Sequence, residues 1–154
     1  MTAVRVMALQ DLDQVLTLER STPEAPHWDR ALYEKALLAE GVGVGYGAFV
    51  AIQGEWLAGF IVLRQILEIC EIESIVVASS VRRTGVGSAL LDAVSRWAAA
   101  GSAQRLQLEV RAGNINAIRF YERAGLIREG SRRGYYRDPE EDAVLMGKSL
   151  YSSD

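Results

Sequence analysis

The chain of 154 residues has almost none of the side chains that build disulfide frameworks or metal centres. Cys70 is its only cysteine and His27 its only histidine. An intrachain disulfide and a thiolate metal cluster are therefore excluded. No apolar run reaches the roughly 18 residues of a membrane span. The opening stretch, MTAVRVMALQDLD, has no apolar core of a secretory signal, so a cytoplasmic location is expected. Basic charge is not in surplus either: the formal net charge is −3, and direct nucleic-acid binding is not expected. There is no internal repeat and no long low-complexity segment. What remains, 49% hydrophobic and 24% charged residues, is ordinary for a globular protein, and the length suits one domain over residues 1–154.

Periodicity divides the chain into interleaved strands and helices. Ala3–Met7 reads as a short strand. Leu12, Val15, Leu16 and Leu18 have helical spacing, with Asp11 as N-cap and an end near Arg20. Ser21–His27 contains Pro23 and Pro26 and reads as a loop. Asp29 caps a second helix through about Glu40, with Leu32, Ala36 and Leu37 on one face. Gly41–Gly47, with glycine at alternate positions, reads as a flexible connection. Ala48–Gln53 and Trp56–Arg64 flank a hairpin turn at Gln53-Gly54-Glu55. Cys70–Val77 is a strand, and Gly85–Ala100 a helix ended by Gly101. Arg105–Arg111 alternates, with Leu106, Leu108 and Val110 facing one way and Arg105, Gln107, Glu109 and Arg111 the other. Asn114 caps a helix through Ala124, ended by Gly125. Strands follow near Ile127–Tyr136 and Ala143–Ser149. The order predicts an α/β fold with a mixed, largely antiparallel central sheet flanked by about four helices.

The most informative segment is VASSVRRTGVG, Val77–Gly87. It closes the β-branched run Ile75-Val76-Val77 and opens an apolar helix. Free backbone N–H groups and the positive end of a helix dipole then fall on one spot, an arrangement that suits phosphate. Arg82 and Arg83 sit on the same turn. No Gly-Lys-Ser/Thr follows, so this is not a P-loop, and Leu90 stands where a dinucleotide fingerprint has its third glycine. By itself the segment is equally a helix N-terminus with a flexible entry.

Arg82, Gly85 and Gly87 occupy the defining positions of the R/Q-x-x-G-x-G/A loop of the GNAT family of acetyl-CoA-dependent N-acetyltransferases, which this loop resembles. The second half of the chain strengthens the likeness. LEVRAGNINAIRFYERAG, from Leu108 to Gly125, is similar to the corresponding segment of the bacterial ribosomal-protein-alanine (RimI) branch of that family. Leu108, Glu109, Val110, Arg111, Asn114, Ala117, Ile118, Tyr121 and Gly125 all fall in place, with Leu126 where Phe is usual. Tyr135-Tyr136 and the EDAVLM run from Glu141 to Met146 resemble its closing segment. From Glu71 to Met146 the likeness spans about half the chain.

This resemblance implies acetyl-CoA as cosubstrate and direct transfer to an amine. Arg82, Arg83, Thr84, Gly85, Val86, Gly87 and Ser88 would hold the pyrophosphate. Ile75, Val76 and Val77 would hold the pantetheine arm and polarise the acetyl carbonyl through backbone N–H groups. Asn114 would touch the same arm as well as cap its helix. Tyr121 would protonate the departing thiolate, or else be a core tyrosine. Glu109 matches the base of the ribosomal-alanine branch. Glu71 is its rival, matching the base of the histone-acetyltransferase branch, and Glu73 points the same way. Two carboxylates at this spacing can raise each other's pKa.

The remaining residues carry less. His27 reads as a loop residue and Trp28 as an anchor for the loop on the acceptor side. Tyr135 and Tyr136 either line the acceptor entrance or fill strand positions. Arg132, Arg133 and Arg137 form a solvated basic run, with ribosomal RNA or a CoA phosphate as other partners. The chain departs from the family pattern at Ala78–Val81, which lacks the usual proline, and over Ser21–Trp28. The expected acceptor is a protein N-terminal α-amine, such as that of a ribosomal protein beginning with alanine. The alternatives are a small-molecule amine, a lysine, or a non-catalytic CoA-binding partner subunit.

Overall fold

The strand Trp56–Ile66 has seven successive buried residues, Leu57–Leu63, so it is covered on both faces and lies inside the sheet. Phe60 and Val62 point into one core, with Leu12, Val15, Leu16 and Tyr33. Ile61 and Leu63 point into the other, with Leu90, Leu91, Val94, Leu106, Ile118 and Met146. The computed structural model describes residues 2–23, 25, 27–38 and 44–150. In chain order these form β1 (Thr2–Val6), α1 (Leu12–Arg20), α2 (Arg30–Leu38), β2 (Val44–Gln53), β3 (Trp56–Ile66), β4 (Ile69–Val77), α3 (Val86–Ala100), β5 (Arg105–Arg111), α4 (Ile115–Arg123), β6 (Ile127–Tyr136) and β7 (Glu141–Ser149). The α/β fold is as expected: four α-helices flank one seven-stranded sheet of order β1-β2-β3-β4-β5-β7-β6. Every adjacent pair is antiparallel except β4 and β5, which α3 joins in parallel.

Two irregularities shape the site. The β4–β5 ladder holds only Ile69–Glu71 against Arg105–Gln107. Past that point the strands part, leaving Ile72–Val77 and Leu108–Arg111 with unpaired edges that face a wedge in the sheet. A bulge in β4 then puts Glu73 between the partners of Val62 and Leu63. One extra residue reverses the alternation of the strand. Cys70 and Ile72 lie in the α3–α4 core before the bulge, whereas Ile75 and Val77 pack on it afterwards and Val76 turns to the other core.

Several local expectations are corrected. Asp11 stands at the N-cap position of α1, as expected, but its side chain makes no capping hydrogen bond to that helix. It ends a 3-10 turn, accepts the Ala8 N–H at 2.7 Å, and takes both its Arg5 hydrogen bonds at 2.8 Å. The guanidinium and the Ala8 N–H hold this carboxyl below the usual range against the opposing effect of burial. Of the segment expected to be a flexible connection, residues 41–43 lie outside the described residues, but Val44–Gly47 opens β2 and pairs with Leu63–Ile66. The long apolar strand β3 templates a partner that glycine spacing alone does not suggest. The buried face of α2 is Tyr33 and Ala36, not Leu32, which is exposed. Its expected last residues, 39 and 40, lie outside the described residues. Gly101 closes α3 without a left-handed backbone. Ser102 takes that conformation (φ +67°), and the Ala103 N–H reaches Ala98 C=O at 2.9 Å.

Candidate active site

The wall that would take a cofactor is one contiguous stretch, β4, its following loop and α3. The first intrahelical bond of α3 runs from the Ala89 N–H to Gly85 C=O at 3.0 Å. The N–H groups of Val86, Gly87 and Ser88 therefore carry no intrahelical partner and present the positive end of a 15-residue helix. Gly85 lies at φ +92°, where side chains are strained, and a Cβ on it would meet nothing within 4 Å. The mouth of the loop is thus open, and it fits a pyrophosphate. Arg82 braces the loop by donating Nε–H to Val77 C=O at 3.3 Å, and Thr84 Oγ donates to Val81 C=O at 2.5 Å. Arg83 sits at φ +67°. Gly87 also has a packing reason that the sequence did not suggest. A Cβ there would lie 2.9 Å from the Phe120 ring, so this glycine lets α3 and α4 approach. Asn114 does cap α4, accepting the Ala117 N–H at 3.3 Å.

The proposed reacting groups lie on β5, α4 and β4. Glu109 lies on β5, in the part of that strand that β4 has left. Tyr121 lies on α4, only 7% exposed, with its ring 5.4 Å from that of Phe120. Burial, and then the neighbouring Tyr136, push the Tyr121 phenol well above its ordinary value, so it is protonated throughout the neutral range. Tyr136 is also a neighbour of Glu109, and it is pushed up to about 12 by burial first. Glu71 and Glu73, the rival carboxylates, share this cleft. The Glu73 carboxyl is raised by burial, then by Glu71 and also by Glu109, against the lowering effect of Arg64 at 3.1 Å. The rivals are one acidic group of three carboxylates on two strands.

The acceptor wall comes from distant segments. The β6–β7 end overhangs Glu109. Arg132 Nε lies 3.1 Å from Glu109 Oε1, and the Arg132 guanidinium is 5.5 Å from the Tyr135 ring centroid. A hydrogen bond to Glu109 raises the Tyr135 phenol. Arg132 is thus not a purely solvated member of a basic run. Arg111, quoted above only as a motif residue, pins the same end. It donates to the carbonyls of Arg137 and Pro139 at 3.0 Å each, pairs with Glu141 at 3.3 Å, and lies 4.5 Å over the Tyr136 ring. Glu141 in turn accepts the Gly113 N–H at 2.6 Å, beside the Asn114 cap. Across the cleft, Trp28, Leu32, Lys35, Ala36, Tyr46 and Glu73 line a cavity of about 310 Å³. His27 is exposed, as expected of a loop residue.

Sequence reading missed one buried acid. Glu19 is 0% exposed and bonded to the Tyr33 hydroxyl. Burial raises its carboxyl, with His27, the Trp28 N–H and Arg20 acting in the other direction. Its signal was present: position 19 continues the stripe Leu12, Val15, Leu16. This acid ties α1, α2 and the Trp28 loop together under the acceptor wall.

Known proteins share this sequence pattern and this fold. The acetyltransferase (GNAT) family pattern matches residues 9–126. An N-alpha-acetyltransferase of Sulfurisphaera tokodaii is 32% identical over 157 residues, covering 96% of this chain and 92% of the relative. The ribosomal protein bS18-alanine N-acetyltransferase of Escherichia coli is 29% identical over 148 residues, with 95% and 96% covered. A crystal structure of the Escherichia coli ribosomal-protein-S18-alanine N-acetyltransferase superposes with a TM-score of 0.83 at 26% identity, over 100% of this chain and 97% of that one. Arabidopsis thaliana NAA60, solved with acetyl-CoA, shares the fold at 16% identity, with a TM-score of 0.85 over 97% and 98% of the two chains. No helix among the described residues is long and apolar enough to cross a membrane.

Proposed function

Because the chain belongs to the acetyltransferase (GNAT) family and is an acetyl-CoA-dependent N-acetyltransferase, we propose that its acceptor is a protein N-terminal α-amine, such as the alanine of a ribosomal protein. The observation that carries this reading is a carboxylate, Glu109, on the β5 edge that β4 has left, and a buried, protonated phenol, Tyr121 on α4, supports it. The names of the relatives support the same class of acceptor. A cytoplasmic location is part of this proposal.

Each residue then has a defined task. The N–H groups of Val86, Gly87 and Ser88, with Arg82, Arg83 and Thr84 around them, hold the pyrophosphate. The edge of Ile75–Val77 and the Asn114 side chain hold the pantetheine arm. The cosubstrate supplies the acetyl group as a thioester. A backbone N–H of the β4 edge stabilises the developing oxyanion. Glu109 takes a proton from the acceptor nitrogen, directly or through water, and Tyr121 gives its proton to the leaving sulfur. An α-amine, with a reference pKa near 8, is partly neutral at pH 7–8, so a carboxylate base suffices; a lysine amine near 10.4 demands more.

The test is the initial rate on a short alanine-first peptide between pH 6 and 9. Glu109→Gln should lower turnover by about 10²-fold, and Glu71→Gln far less. Blocking the α-amine should abolish activity even with an internal lysine free. Acetylation of that lysine, or greater damage from Glu71→Gln, overturns the reading.

A further inference from the structure

The carboxylate that the proposed function gives to the acceptor amine already holds a cation. Arg132 Nε lies 3.1 Å from Glu109 Oε1, and the side chain of Arg132 is 57% exposed while that of Glu109 is 21% exposed. We propose that Arg132 is a specificity-determining residue: its guanidinium occupies the seat of the acceptor ammonium and is displaced from Glu109 when the acceptor enters. The inference rests on the α-amine reading above.

Charge and geometry both point this way. The groups facing Glu109 are Glu71 and Glu73 from β4, and Arg132, Tyr135 and Tyr136 from β6. Arg64 answers Glu73 at 3.1 Å, so the cation answering Glu109 in this group is Arg132. An arriving ammonium replaces one positive charge with another and leaves the balance of the cleft unchanged. A neutral or acylated terminus offers no such exchange and must leave the Arg132–Glu109 pair intact. The pair is suited to exchange: one partner is more than half in solvent, where ion pairs hold weakly. The guanidinium also lies over the exposed Tyr135 ring, a second resting place for the cation.

The test compares wild type, Arg132→Gln and Arg132→Lys on a lysine-free alanine-first peptide at saturating acetyl-CoA. The same peptide with its α-amine replaced by hydrogen serves as a competitive inhibitor. Removing the resident cation should lower the peptide KM about two- to fivefold, the worth of an exposed ion pair. The acetyl-CoA KM should not move. Arg132→Lys, which restores a cation, should stay near the wild-type peptide KM. The deamino peptide should inhibit wild type and Arg132→Gln equally. An unchanged or raised peptide KM in Arg132→Gln overturns the inference alone. So does an equal gain by the deamino peptide, which would make the arginine an obstacle by bulk instead of charge. A wild-type enzyme that does not acetylate the alanine peptide overturns the α-amine reading, and the inference with it.

Discussion

The two walls of the β4–β5 wedge are built in opposite ways. The wall proposed for the cofactor is local: β4, one loop and α3 follow one another along the chain, and the loop needs only Gly85 in a left-handed conformation and free N–H groups on α3. The wall proposed for the acceptor is assembled at long range, from Glu109 on β5, Arg132 and Tyr135 on β6, Glu73 at a bulge in β4 and Trp28 before α2. A ligand common to a whole family can be held mainly by backbone, which any side chains of suitable size leave in place. A ligand that differs between members has to be chosen by side chains, and those reach the cleft from elements that vary independently.

The sharpest way to divide the walls is Tyr121→Phe, which removes one hydroxyl from the chemistry and nothing from cofactor binding. Turnover should fall by about two orders of magnitude, the scale of a positioned proton donor, while calorimetry shows the same acetyl-CoA affinity. Near-normal turnover with chemistry rate-limiting would return Tyr121 to the core. A smaller effect belongs to the loop. Gly85→Asp puts a side chain at φ +92° and a negative charge beside the helix N-terminus. Acetyl-CoA affinity should fall about tenfold, roughly 1.4 kcal/mol, without a change in peptide KM. Gly87→Ala should act differently, through the Phe120 ring 2.9 Å from the new Cβ. It should cost about 1 kcal/mol of folding stability by overpacking, read as a lowered melting temperature. Equal loss of affinity and unchanged stability in the alanine variant would show that glycine at position 87 serves the approach of the phosphate and not the packing of Phe120.

The smallest effect concerns the support of the acceptor wall. Burial raises the folded-state pKa of Glu19, so the folded protein favours its protonated form. That contribution is complete below the ordinary glutamate value near 4.3 and is lost as pH rises through the raised folded value. Glu73 shifts in the same direction and Asp11 in the opposite one, so the difference between wild type and Glu19→Gln is the informative quantity. The variant should gain melting temperature relative to wild type as pH goes from 4 to 8. A gap that is constant with pH would show that Glu19 titrates alike in both states.

By itself the sequence determined the elements and the strand–loop–helix proposed to hold the cofactor, because both rest on short-range rules. Alternation in Arg105–Arg111, the Asn114 cap, the turn at Gly54 and the strand–loop–glycine–helix order around Gly85 each involve residues within a few positions of one another. The buried Glu19 was equally legible from its place on the stripe of α1. What only the tertiary structure decided lies across long separations. The Asp11 side chain bonds to Arg5 on β1 and not to α1, and Gly47 joins a strand because β3 offers a partner. Gly87 packs against Phe120, and Arg132 pairs with Glu109. In each case a contact between segments outweighs the local preference of the residue. Such contacts leave no periodic trace in a single chain, since their partners are set by sheet order and by the β4 bulge.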